Sequence, residues 1–192
     1  MDGTNIAAVP LMSTYSGKRF NPINPNIDDI SIIDIAHSLS NVCRYGGQCK
    51  EFYCVAQHSV VCAWEAPYPI KKKLLLHDAS EGYIGDIISP LKATPQYEAY
   101  REIEDNLMAA IYERFDLEED TEEEKEEIHR IDLLVRHTEM RDFGSIPEEF
   151  WIDQQMLDYN IKPLSPKESK ILFLKEFSRL FGYGYNGWRY LQ

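Results

Sequence analysis

Leu74-Leu75-Leu76-His77-Asp78 places the tightest constraint on what this 192-residue chain can fold into. Three consecutive leucines commit the segment to an interior helix, yet an imidazole and a carboxylate follow at once. Burying a charge is costly unless it is paired or bound to a metal. Neighbouring side chains diverge by about 100° around a helix, so both can still lean toward one point on its rim. Such a pair suits joint ligation of a divalent cation, provided that other apolar helices bring further ligands.

Helical periodicity supplies candidates. Asp28-Asp29 reads as a cap for a helix to about Asn41, with Ile32, Ile35, Ala36 and Leu39 as its core stripe. His37 lies on a neighbouring face, joined by Arg44 if the helix reaches that far. A second helix over Phe52–Trp64 places Cys54, His58, Val61 and Cys62 on one face, which points His58 into the core. Pro67 and Pro69 end it, and the His77-Asp78 helix is expected over Ile70–Tyr83. Gly85 and Pro90 make Gly85–Lys92 a loop. A long helix follows over Pro95–Phe115, with Tyr100, Ile103, Leu107, Ala110 and Ile111 inward. Thr121 and Glu124 form a capping box for a helix to about Arg141, and Asp132 falls inside its stripe of Ile128, Ile131 and Val135. A lone carboxylate on a core face demands a partner. Ser165-Pro166 caps a last helix to Phe181, followed by an aromatic tail with Tyr183, Tyr185, Trp188 and Tyr190.

The expected fold class is all-α, one helical bundle over 28–192 behind an extended arm or short hairpin over 1–27. That arm is rich in Gly, Pro and Asn, with a strand-like Thr14–Phe20. Length suits one domain, and 44% hydrophobic residues with 12% aromatics describe a folded globule. The net charge of −12 is concentrated in an acidic loop over 116–127, read as solvated. It disfavours a nucleic acid polymer as partner, and Lys71-Lys72-Lys73 reads as the solvated start of a helix. Apolar runs fall short of the roughly 20 residues of a membrane span, and the start lacks signal-peptide features, so no membrane partner and a cytoplasmic location are expected. The four cysteines lack the close paired spacing of zinc or redox motifs and read as free thiols.

Three core-facing segments thus carry His58, then His77 with Asp78, then Asp132. Two imidazoles and two carboxylates suit a divalent transition ion with positions left open. In this order the set resembles the H…HD…D ligands of the HD-domain phosphohydrolases, over roughly Phe20–Arg141. Val55-Ala56-Gln57-His58-Ser59 looks like that family's first-ligand helix. His77-Asp78-Ala79-Ser80-Glu81-Gly82-Tyr83-Ile84-Gly85-Asp86 is similar to a stretch of bacterial HD-type 5′-deoxynucleotidases, and Ser89-Pro90-Leu91-Lys92 to their substrate loop. The Asn-Pro arm, Ile35–Ser40, Cys43-Arg44-Tyr45-Gly46-Gly47 and Phe52–Ser59 look most like phage-encoded members, among them dATP triphosphohydrolases.

The resemblance implies an HD-domain bundle and a hydrolase that attacks the α-phosphorus of a deoxynucleotide. The ion, zinc, cobalt or manganese (iron is also compatible), would acidify water and polarise a phosphoryl oxygen, with an additional magnesium on the phosphates. Glu81, one turn beyond His77, shares its face and is placed to orient or deprotonate water. Asp86 resembles the other catalytic carboxylate, with acid and base roles open between the two. Arg44, whose planar fork suits phosphate, and Lys92 are the expected phosphate clamps. Tyr45 would pack on sugar or base. His37 is either a substrate contact or a structural hydrogen bond, and His129 and His137 lie at the surface or behind the ligands. The leading expectation is hydrolysis of dATP to deoxynucleoside and triphosphate. The alternative is a 5′-deoxynucleotidase acting on monophosphates, and a non-catalytic nucleotide-binding protein ranks third. Relatives of this kind form homo-oligomers, so a dimer or hexamer with the tail aromatics at a subunit contact is expected, in the host cytoplasm if phage-encoded.

Overall fold

The computed structural model describes residues 10–144 and 147–182. Residues 1–9 of the arm and the tail aromatics Tyr183, Tyr185, Trp188 and Tyr190 lie outside them. The fold is all-α with a small N-terminal hairpin. Its helices are α1 Ile32–Leu39, α2 Val55–Glu65, α3 Lys71–Leu76, α4 Glu81–Ile84, α5 Ser89–Lys92, α6 Glu98–Arg114, α7 Glu122–Phe143 and α8 Pro166–Phe181. Among the described residues no helix is long and apolar enough to cross a membrane.

Helix α2 organises the bundle. Every side chain from Val55 to Ala63 is buried, the pattern of a helix walled in on all sides. It packs against α3, α7 and α8. On one side lies a cluster that includes Ile35, Leu39, Leu107, Ile111 and Phe173. On the other lies a second cluster with Tyr53, Leu74, Ile131, Val135 and Phe143. His58 and Cys62 ride on α2 and are wholly buried. The capping boxes at Thr121/Glu124 and Ser165/Glu168 form reciprocally, as the sequence predicts. Each cap stabilises its helix by about 1 kcal/mol.

Several elements differ from the sequence reading. Asp28 and Asp29 do not cap α1. They sit in a 3₁₀ turn capped by Asn26, and Ser31 Oγ caps α1 by accepting from Ile33 N. Ile30 causes the break: extended backbone there sinks its side chain into the core. Phe52 and Tyr53 precede α2 as extended chain, which pairs Cys43 with Cys54 in an isolated bridge. The strand-like Thr14–Phe20 is mostly turn, because Gly17 adopts φ +85 and the strands reduce to Met12–Ser13 and Arg19–Phe20.

The single helix expected over Ile70–Tyr83 is two. Between α3 and α4 the chain tightens into i→i+3 bonds, Ala79 N to Leu76 O and Glu81 N to Asp78 O, the signature of 3₁₀ winding. Within the expected loop, Ser89–Lys92 closes one α-turn with Pro90 in its first turn. The lysine run is not simply solvated. Lys73 is buried and pairs with Asp120 at 3.1 Å and Glu124 at 2.6 Å, which pins the acidic segment. Lys71 Nζ donates to the Ala63 and Trp64 carbonyls near the end of α2, where a cation suits the helix dipole.

Gly82 permits the closest approach of α4 to α1. A Cβ there would stand 3.3 Å from Ile35 Cα and 3.5 Å from Ile35 O. Gly82→Val should therefore push α4 off α1, at a cost of about 1–3 kcal/mol. Urea unfolding should show a lowered midpoint with an unchanged slope.

Candidate metal centre

Four donors converge where α2, α7 and the α3–α4 turn meet. His58, Cys62, His77 and Asp132 each offer one atom, and these atoms lie within 4.8 Å of one another. His58 Nε2 is 3.1 Å from Asp132 Oδ1. The ring centroids of His58 and His77 are 5.3 Å apart. Asp78 borders the group: its Oδ2 is 3.3 Å from His77 Nε2 and 3.8 Å from His58 Nε2. The tight 3₁₀ turn brings His77 and Asp78 to one point, as their adjacency in sequence suggests.

The donors are held from behind. His77 Nδ1 bonds to Leu74 O at 2.8 Å. A carbonyl only accepts, so Nδ1 carries the hydrogen and Nε2 keeps its lone pair. That Nε2 is buried with no hydrogen-bond partner. An orphaned, lone-pair-bearing nitrogen aimed at a second imidazole, a carboxylate and a thiol is what a divalent ion requires. The donor set fits a metal.

His58 Nδ1 lies 2.7 Å from Glu139 Oε1, and both side chains are fully buried. Glu139 Oε2 accepts from Tyr45 Oη at 2.7 Å and from Arg44 at 3.4 Å. Burial alone would raise the Glu139 carboxyl, but His58, Arg44 and Tyr45 outweigh it and bring it down to about 2. Sequence reasoning missed Glu139, although it follows Asp132 by seven residues and so returns to the same face of α7. Cys62 is the free thiol that the sequence reading expects, and it lies one turn beyond His58 with its sulfur among the donor atoms.

Burial and Arg44 both oppose protonation of His58, yet Cys62, Glu139 and Asp132 together raise it well above the usual imidazole range. Asp132 is the converse: burial pushes its carboxyl up, while the bond to His58 and the charges of His58, Arg44 and His77 hold it well below the usual carboxylate range. A metal at Nε2 displaces a proton, so affinity rises with pH.

The two expected catalytic carboxylates adjoin this group electrostatically. Glu81 is buried, and its Oε2 has no hydrogen-bond partner. Burial first, then Asp78 and Asp86, raise its carboxyl well above the ordinary value. Asp86 is raised as well, chiefly by burial. Arg44 sits in the centre, 3.5 Å from Asp78, 3.9 Å from Asp132 and 3.4 Å from Glu139. It is not on α1, which ends at Leu39; extended backbone at Cys43, bridged to Cys54, separates the two, and Arg44 opens a short turn through Tyr45 (φ 57) and Gly46 (φ 59). Lys92 pairs with Glu104 at 2.7 Å. Tyr45 spends its hydroxyl on Glu139, which fixes the ring beside Arg44.

His37 stands elsewhere. It stacks on Tyr15 at 3.7 Å and meets Lys170 at 3.4 Å, so the structural role offered for it is the one its neighbours favour. A cleft of about 580 Å³ opens from His77 and Asp132. Its lining includes Met108, Ala109 and Ile128, the acids Asp105, Glu119 and Asp120, and Lys125 and His129.

Replacing Glu139 by Gln keeps the side-chain shape but weakens the hold on the His58 ring. Such supporting carboxylates contribute about 10- to 100-fold in metal affinity. Competition with a chromophoric chelator should show a loss of that size, with an unchanged far-ultraviolet spectrum as the folding control.

No known family profile matches the chain. It is 36% identical over 173 residues to the uncharacterized protein YfdR of Escherichia coli (strain K12), across 88% of this chain and 94% of that protein. An uncharacterized protein of Rhodobacter capsulatus is 40% identical over 111 residues, across 53% of this chain and 56% of its own length.

Proposed function

The chain belongs to the YfdR family, and we propose that it is a metal-dependent phosphohydrolase that parts the α-phosphorus of a deoxynucleotide from its 5′-oxygen. One observation carries the reading: a metal-competent group shares its surroundings with two carboxyls raised above their ordinary range and a central guanidinium. His58, His77 and Asp132 would hold the ion, with Asp78 beside them. When bound, it supplies Lewis-acid polarisation of a phosphoryl oxygen and acidifies water.

The remaining work falls to the chain's own side chains. Glu81, buried and flanked by Asp78 and Asp86, holds its proton more tightly. In this reading it donates that proton to the leaving 5′-oxygen. Asp86, only partly buried, orients the attacking water and takes its proton. Arg44 binds phosphate oxygens by turning part of its fork away from Asp78, whose 3.5 Å contact is longer than a strong ion pair. The cleft of about 580 Å³ falls within the usual range of ligand sites, about 300–1,000 Å³, and meets the centre at His77 and Asp132; Arg44, Glu81 and Asp86 are not among its lining residues. Met108, Ala109 and Ile128 offer a ligand apolar surface.

The number of phosphates divides two readings. Resemblance to the phage enzymes points to dATP with release of triphosphate. The cleft charge favours the second, a deoxynucleoside monophosphate with release of orthophosphate. Asp105, Glu119 and Asp120 line that cleft, Lys92 is paired with Glu104, and Lys125 with Glu122. Three phosphates need more free cationic groups than these.

Incubation with each deoxynucleoside mono- and triphosphate and zinc, cobalt or manganese tests the proposal. Orthophosphate from dAMP supports the monophosphate reading, and intact triphosphate from dATP the other. Pyrophosphate alone, or no turnover with any substrate, would sink both. Glu81→Gln should lower turnover by about 10²- to 10⁴-fold. An ester with a good leaving group, such as a nitrophenyl phosphate ester, should recover most of that loss, because such a group departs without a proton. An equal loss on both substrates would remove Glu81 from the acid role.

A further inference from the structure

We infer that Cys62 is a sulfur donor to the metal at this centre, making the site softer than two histidines and two carboxylates alone. The inference rests on the metal-centre reading above and adds a ligand to it.

The geometry is specific. Cys62 follows His58 by four residues on α2, so both side chains rise from one face. Cys62 Sγ stands 3.5 Å from His58 Nε2, the nitrogen that faces Asp132. Zinc bonds nitrogen at about 2.0–2.1 Å and sulfur at about 2.3 Å, so tetrahedral placement separates the two donors by about 3.6 Å. Asp78 Oδ2 is 3.8 Å from the same nitrogen and 3.3 Å from His77 Nε2, and it is shared with Arg44 at 3.5 Å. The thiol is fully buried, so water does not compete for it, and its sulfur meets the His58 ring. On binding, the sulfur–metal bond forms as the S–H bond breaks, and the proton leaves to solvent. The bound ion then carries one more compensating negative charge, in a pocket where charge is expensive.

A thiolate selects softer ions. It favours zinc or cobalt over manganese or magnesium, which prefer oxygen donors. Asp78, 3.3 Å from His77 Nε2 and 3.5 Å from Arg44, then stands between the donors and the guanidinium. The competing account makes Cys62 a small buried residue whose sulfur merely packs on the imidazole.

Cobalt distinguishes the two, because a sulfur–cobalt bond adds a near-ultraviolet charge-transfer band to the visible ligand-field bands. The full-length protein, loaded with Co²⁺, should show both. Cys62→Ser should lose the charge-transfer band and keep the visible ones, with zinc-over-manganese preference reduced. A variant with Cys43→Ser, Cys49→Ser and Cys54→Ala retains Cys62 as its one cysteine and should keep the band. That variant also decides the matter should Cys62→Ser fail to fold. Visible bands without charge transfer in the parent protein would overturn the sulfur ligand and leave the metal centre standing. Absence of any cobalt spectrum would bring down the centre itself.

Discussion

The hydrogen bond between Glu139 and His58 is the contact on which the centre depends. Neither side chain is exposed to solvent, so neither can be stabilised by water, and each makes the other's burial tolerable. The bond also joins the middle of α2 to the far half of α7. It thereby fixes which nitrogen of His58 faces Asp132, Cys62 and His77. Arg44 and Tyr45 close the circuit by bonding to the second oxygen of the same carboxylate. One buried acid therefore holds one proposed metal ligand and one proposed substrate-binding cation in register. Removal of its charge reaches both functions together.

This circuit also accounts for an unfavourable backbone. Tyr45 lies at φ 57, ψ 29, a left-handed conformation that side chains other than glycine adopt at a cost of about 1–2 kcal/mol. The following glycines adopt positive φ as well, so the chain reverses directly after Arg44 and brings Tyr45 beside it. The Tyr45 hydroxyl bond to Glu139 offsets the strain and holds the guanidinium in place.

The parts legible in the sequence are those that obey a period or a cap. His58 and Asp132 stood out because each interrupts an apolar stripe at helical spacing, and the capping boxes at Thr121 and Ser165 follow from side-chain chemistry alone. The hidden parts depend on tertiary contacts. Glu139 sits among many acidic residues on α7, and only its distance from Asp132 marks it. Cys62 is a free thiol, as read, but its nearness to His77 and Asp132 comes from tertiary packing. The 3₁₀ tightening after Leu76 has no local marker, since no glycine or proline occurs between Leu74 and Ser80. Lys73 finds Asp120 and Glu124 across a separation that composition cannot foresee, so a lysine run that reads as solvated proves partly interior.

Helix α4 is four residues long, far too short to persist on its own. Glu81 faces the carboxylate-rich centre, while its neighbour Gly82 seats against Ile35 of α1. The carboxyl is thus carried on a segment clamped from two sides. Moving Glu81 therefore means parting Gly82 from Ile35, which ties the place of this carboxyl to the packing of α4 on α1.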